Sequence, residues 1–191
     1  ELYMCLGLGN DHSGQFFTPY HICEVMSAVT TPTEEFQQKI GDRGWVAVCD
    51  PTCGAGALLV AFANECREKG INYQTNVLFV AQDIDYIVGL MCYLQLSLMG
   101  CAGYVVIGDT LLHPSTALDR RGLIPRPDQN IWYTPFYFRD IWHYRRIWAQ
   151  MDLLLQTDEK PAEQVTGKLK SSAALPPLPL QETKTGQLTL F

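Results

Sequence analysis

An α/β domain with an abbreviated parallel sheet flanked by helices is the fold class this sequence predicts, and three observations carry it. The apolar run Trp45-Val46-Ala47-Val48-Cys49 passes through Asp50-Pro51 into the turn Gly54-Ala55-Gly56, then into an Ala/Leu-rich helix from Ala57 to Cys66. Strand, tight turn and helix in that order form the first corner of a doubly wound sheet. Two further apolar runs, Asn76 to Ala81 and Gly103 to Ile107, each lead into a turn bearing an acid, Asp83 and Asp109. Finally, 191 residues at 47% hydrophobic and 18% charged suffice for one globular core.

In chain order, residues 1–10 read as the end of a helix, and a start at Glu1 instead of Met is expected of a clipped or processed N-terminus. Thr18-Pro19 is a capping arrangement ahead of an amphipathic helix near His21 to Ala28. Thr30 to Gly44 is polar and turn-rich, a surface connection into the first strand. Gly70 is suited to stop the helix that follows the glycine turn, and Gly100 the helix from Tyr86 to Met99. Asp85 is placed to be the N-cap of the latter. A long, proline-rich connection from Leu111 to Asn130 precedes a fourth short strand at Ile131-Trp132, giving three or four parallel strands. One helix, about Asp140 to Leu155, carries Trp142, Tyr144, Ile147, Trp148 and Met151 at helical spacing. Eight aromatics between Asn130 and Trp148 are read first as packing against the sheet edge, with base stacking as the alternative. Residues 1–155 are expected to form the domain. Residues 156–191, rich in Lys, Glu, Thr, Ser and Pro, are expected to form a disordered tail.

The glycines let a ligand approach the backbone, and the helix N-terminus beyond them adds positive potential. An acid ending the second strand can accept both hydroxyl protons of a ribose, and one ending the third can accept from an adenine amine. Plain helix capping is the alternative reading for Thr18 and Asp83.

These segments resemble, in order, those of the adenine-specific DNA methyltransferases, especially modification subunits of type I restriction systems. Asp50-Pro51-Thr52-Cys53-Gly54-Ala55-Gly56 resembles motif I, and Gly14-Gln15-Phe16-Phe17-Thr18-Pro19 resembles the G-Q-F-[FY]-T-P segment that precedes it. Gln82-Asp83-Ile84-Asp85 and Gly108-Asp109-Thr110-Leu111 are similar to the family's G-x-[ED]-[IL]-[DN] and G-D-[TS]-L stretches. The resemblance implies a Rossmann-type fold of the kind that binds S-adenosylmethionine (SAM), and it implies site-specific DNA methylation at adenine N6. Phe17 and Thr18 would close over the methionine part, and Asp50 would lie near its charged end. Pro51, Cys53, Gly54 and Gly56 would form the loop. Asp83 would take the ribose, Ile84 would pack on the adenine and Asp109 would hold its amine. Such chemistry needs neither a metal nor a covalent nucleophile.

The chain departs from that family at the catalytic motif. No [NDS]-P-P-[YF] tetrapeptide occurs, and the nearest match is Tyr133-Thr134-Pro135-Phe136, which makes Thr134, Pro135 and Phe136 the candidate catalytic residues. The later strands and a target-recognition domain are also expected to be missing, so a partner subunit is expected to supply recognition. The rival to an active restriction-modification enzyme is a catalytically weak or inactive SAM-binding module acting on DNA through partners. A dinucleotide oxidoreductase is the remaining alternative, disfavoured because Leu59 stands at the third glycine position.

A net charge of −6 argues against a surface that coats nucleic acid throughout. Between Asp119 and Arg146, however, six arginines face three aspartates, and Arg120, Arg121 and Arg126 are the candidate DNA contacts. Seven cysteines without a C-x-x-C pair fit reduced thiols in a cytoplasm. No apolar run approaches the ~20 residues that would span a bilayer. Finally, Gln187-Leu188-Thr189-Leu190-Phe191 resembles the Q-L-[SD]-L-F peptide by which bacterial replication and repair proteins bind the sliding clamp. Gln187, Leu188, Leu190 and Phe191 are its candidate contacts.

Overall fold

The computed structural model describes residues 18–30, 34–158, 181–182 and 188–189. The chain divides into two compact units, 1–156 and 157–191. Of the second, the described residues are β5 (Gln181–Glu182) and β6 (Leu188–Thr189), which pair antiparallel. Phe17, Gln187, Leu190 and Phe191 lie outside the described residues.

The first unit opens with helices α1 (Tyr20–Thr30) and α2 (Glu34–Arg43). β1 (Val46–Asp50) leads through the glycine turn into α3 (Ala57–Glu68), and a short α4 (Tyr73–Asn76) precedes β2 (Val77–Asp83). Then come α5 (Tyr86–Leu98), β3 (Ala102–Ile107), a long connection, β4 (Asn130–Tyr133), a 3-10 turn (Pro135–Phe138) and α6 (Asp140–Asp158). The four-stranded sheet runs β1-β2-β3-β4. Its first three strands are parallel, with Val46 opposite Val77 and Leu78 opposite Ala102.

The fourth strand corrects the expectation of an all-parallel sheet. It is antiparallel, Tyr104 facing Tyr133 and Ile107 facing Asn130. The segment from Thr30 to Gly44 is likewise not merely a connection, because its residues Glu34–Arg43 form α2. Phe36 and Ile40 of that helix pack on the core.

Helices cover both faces of the sheet because β2 is apolar on both. Phe79 and Ala81 point into a core with Leu59, Phe62 and Cys66 of α3 and with Cys92 and Leu96 of α5. On the other face Leu78, Val80 and Tyr104 meet Trp45, Leu123, Tyr137 and Trp142. Each such large side chain withdrawn from water stabilises the fold by ~1.5–3 kcal/mol. At the centre of the sheet only glycine fits position 103, since a Cβ there would sit 1.8 Å from the Phe79 carbonyl oxygen.

Buried polar side chains order the long connection between β3 and β4. Gln82 Nε2 donates to the carbonyls of Gly108 (3.3 Å) and His113 (3.0 Å), and Oε1 accepts from Ser115 N at 2.8 Å. The Tyr104 and Tyr137 hydroxyls donate to the Gly122 and Leu123 carbonyls, both at 2.8 Å. Asp119 accepts from the backbone N–H groups of Arg121 and Leu123. α6 is anchored at its start: Trp142 Nε1 donates to the Gln74 carbonyl at 3.0 Å, and Arg145 donates to the Gly44 carbonyl at 2.9 Å. Among the described residues, no helix is long and apolar enough to cross a membrane.

Candidate cofactor-binding edge

The carboxyl ends of β1, β2 and β3 meet at one edge of the sheet, where open α/β folds bind their ligands. The first carries Asp50, whose Oδ1 accepts from Thr52 N at 3.2 Å as the chain turns. Gly54 and Gly56 then adopt φ of 53° and 87°, left-handed values that strain any residue with a Cβ. Gly56 is doubly constrained, because a Cβ there would meet Cys92 Sγ at 2.7 Å. No side chain caps the N-terminus of α3, so its first amides remain free for a ligand.

Asp83 ties these turns together. Its Oδ2 accepts from Gly54 N at 2.8 Å, and its Oδ1 accepts from Asp85 N at 2.9 Å. Asp85 itself caps α5, accepting from Val88 N at 3.0 Å. The third turn is bound to the first two: Gly108 N donates to the Asp83 carbonyl at 2.9 Å, and the Thr110 hydroxyl donates to the Pro51 carbonyl at 2.6 Å. Asp109 closes that turn by accepting from the Leu111 and Leu112 amides. Asp50, Gly54, Gly56, Asp83 and Asp109 are therefore brought to one edge. Pro51 and Cys53 lie in the same loop, Cys53 buried, whereas Ile84 is exposed.

The start of α1 lies beside this edge. Thr18 is exposed, and its carbonyl accepts a long contact from the Cys23 thiol at 3.9 Å. Burial pushes the Cys23 thiol up, and the nearby Asp50 charge adds to that shift. Asn64 of α3 donates to the Tyr20 hydroxyl at 2.7 Å, which holds α1 on α3. Burial also raises the Asp50 carboxyl above the usual range, with the Asp83 charge as a further cause. An acid held in that state is poised to gain from a cation placed beside it.

Several residues of this edge escaped the sequence reading. Gln95 of α5 donates to the Ala55 carbonyl and so braces the glycine turn. A cleft of ≈180 Å³ opens beside Asp109, lined also by Gln82, Ile107, Gly108, Gln129 and Asn130. The Gln129 amide oxygen is buried there without a hydrogen-bond partner. An isolated glutamine on a turn gives no local signal of such a role.

Thr134, Pro135 and Phe136, the candidate catalytic residues, do not join this constellation. Because β4 runs antiparallel, its last residues lie beside Cys101 and Gly103 at the start of β3. At ~3.3 Å per strand residue that is about 20 Å from the acidic edge. The Thr134 hydroxyl is buried, donating to the Cys101 carbonyl at 2.7 Å and accepting from Gly103 N at 3.0 Å. Pro135 opens the 3-10 turn, and Phe136 lies under the Arg139 guanidinium at 5.1 Å.

The arginine cluster is also largely spoken for. Arg121 contacts Asp152 at 3.0 Å and Asp119 at 3.3 Å, and Arg126 pairs with Asp128 at 2.9 Å. Arg145 and Arg146 donate to backbone carbonyls and stack on Trp142 and Tyr137. Arg120 is exposed and forms no ion pair with a described residue. Among the described residues, no cluster of His, Cys, Asp or Glu has the makings of a metal site.

No curated protein and no solved structure matches the chain. A family model does: the one described as N-6 DNA Methylase matches residues 8–143, more than two thirds of the sequence. That span includes all three strand ends and the turns that bind them together, so the chain belongs to the N-6 DNA methylase family.

Proposed function

We propose that this protein binds S-adenosylmethionine at the acidic sheet edge, and that it acts on DNA as an adenine-N6 methylase-like module. The observation that carries the reading is the Asp83 bridge, one carboxylate joining the glycine turn of β1 to the turn after β2. The residues present fit the cofactor. Asp50, raised by burial, suits a cationic group, while Gly54 and Gly56 leave room at the backbone. Asp83 keeps free lone pairs on both oxygens for ribose hydroxyls, since each has one donor so far. The unpartnered Gln129 oxygen and the Asp109 carboxylate, on one cleft, can accept from an exocyclic amine. When bound, the sulfonium supplies an electrophilic methyl group. The chain's own part would be to orient the reactants and exclude water. Calorimetry with SAM tests the reading, and tighter binding of NADH than of SAM would overturn it.

A second reading, a weak or inactive cofactor-binding module, is favoured by the burial of Thr134 far from the acidic edge. In this reading methyl transfer by the isolated chain is weak or absent, and a partner subunit completes the target site. Arg120, exposed and outside the ion pairs of the described residues, is free to reach phosphate. The terminal peptide Gln187 to Phe191 would add a bacterial sliding clamp as a route to DNA. Fluorescence anisotropy of a labelled 181–191 peptide against a clamp tests this, and no binding at about 100 µM, far weaker than the micromolar regime of tethered motifs, would refute it. Efficient N6-methyladenine formation by the purified chain alone would refute the weak-enzyme reading. A cytoplasmic site of action goes with either reading.

A further inference from the structure

α6 has two faces, and the fold uses one of them. Trp142 and Ala149 are buried in the core, and Arg145 on the same side reaches the backbone of Gly44. About 130° around the helix, at 100° per residue, runs a second stripe: Ile141, Tyr144, Trp148, Met151 and Leu155. Its spacing of three, four, three and four residues is the a/d repeat by which one helix receives another. All five side chains are exposed, Tyr144 by 63%, Trp148 by 66% and Leu155 by 62%. No charged residue interrupts the stripe, since Arg145, Arg146 and Asp152 of this segment lie off it. The family match ends at residue 143, so nearly all of the stripe lies beyond the span shared with that family.

We propose that this stripe is the interface of a homodimer, in which α6 of one chain packs on α6 of a second copy. Two considerations select a second copy as the occupant. The seam is about 21 Å long, four helical turns, and each copy presents the same apolar knobs and holes, so it is self-complementary under a two-fold axis. The area also suffices. With aromatic side chains carrying ~150–250 Å² each, the seam offers roughly 500 Å² per copy. A symmetric pair then buries about 1,000 Å², the size at which specific association begins. An uncovered apolar strip of this extent is at the upper end of what monomers carry. The inference does not depend on what the acidic edge binds.

Light scattering coupled to gel filtration of the full chain, at about 10 µM, should give twice the 21.5 kDa chain mass. Trp148→Glu should give the mass of one chain that still unfolds cooperatively, because that side chain is mostly outside the protomer core. Leu98→Glu is the control, altering an equally apolar residue of α5 that is 88% exposed, and it should leave the dimer intact. A wild-type mass other than two chains overturns the proposal. So does a dimer that survives Trp148→Glu, or one that Leu98→Glu also dissociates.

Discussion

The two ends of the sheet handle polar groups in opposite ways. At the carboxyl ends of β1 to β3, carboxylates of Asp50, Asp83 and Asp109 are met by backbone amides of the turns at that edge, and each retains accepting capacity. At the far end, the Thr134 hydroxyl is buried between Cys101 and Gly103, donating its proton and accepting from Gly103 N. A polar residue that still has capacity beside a cleft can take a ligand. One whose hydroxyl both donates and accepts inside the core holds the fold. The tetrapeptide that resembles a catalytic motif thus works as the latch joining β4 to β3.

The largest expected effect is at Asp83. Asp83→Ala removes two charge-assisted bonds to the turns and the acceptor proposed for the ribose, so SAM affinity should fall by ~2–4 kcal/mol. Calorimetry would show this as a loss of at least about 30-fold. Equal affinity in both proteins would remove Asp83 from the site.

Thr134→Ala should show the reverse pattern. It leaves Gly103 N without its buried acceptor, at a cost of ~1–3 kcal/mol of folding stability read by chemical denaturation. SAM affinity should stay within about two-fold, because the site lies about 20 Å away. Thr134→Ser, which keeps the hydroxyl, should recover most of the stability. A binding defect without a stability defect would reverse the assignment of the two ends.

Much of the geometry of the acidic edge was legible because its signals are local. A strand running into Gly-x-Gly, an acid one strand later and an N-cap such as Asp85 are each set by neighbours in the chain. What escaped depends on distant partners. An apolar run such as Ile131-Trp132 announces a strand but not its direction, and direction alone decides which edge receives Thr134. Arg121 and Arg145 looked free because partners of theirs are remote, Asp152 for the first and the Gly44 carbonyl for the second, whereas Arg126 pairs with Asp128 only two residues away. Gln82 gives no hint in sequence that its amide orders the first part of the connection after β3. Residues 34–43 look like a polar connection because the helix they form buries only a narrow apolar stripe, Phe36 and Ile40.

Asp50 separates binding from folding within the ligand edge. Its carboxyl is raised by burial first and by Asp83 second. A raised carboxyl favours the folded state at low pH, and that advantage is lost as pH rises through its folded value. At pH 7 the charged form is therefore a strain on the free protein, and Asp50→Asn, which can still accept from Thr52 N, should raise the denaturation midpoint. SAM binding should run the other way. Affinity for the cationic ligand should fall on acidification, starting at a higher pH than an exposed carboxylate would dictate. Asp50→Asn should bind several-fold more weakly at pH 7 and lose that pH dependence. Identical pH profiles for the two proteins would exclude a cation at Asp50.

The smallest expected effects are in the arginine cluster. The Arg126 guanidinium, paired with Asp128 through two hydrogen bonds, is held above its ordinary value by that carboxylate, and Asp128 is held below its own. A phosphate would have to displace Asp128, so the pair adds almost no net attraction to DNA. Arg120 has no such neighbour among the ion pairs described and presents its full charge. Anisotropy titrations with a short duplex, repeated across salt concentrations, should therefore distinguish them. Arg120→Ala should reduce the slope of log affinity against log salt by about one, the loss of one phosphate contact. Arg126→Ala should leave the slope unchanged, with only the small loss of affinity expected from uncovering the Asp128 charge. If Arg126→Ala weakened binding as much as Arg120→Ala, the Asp128 pair would have to open on DNA, and the cluster would be a binding surface after all.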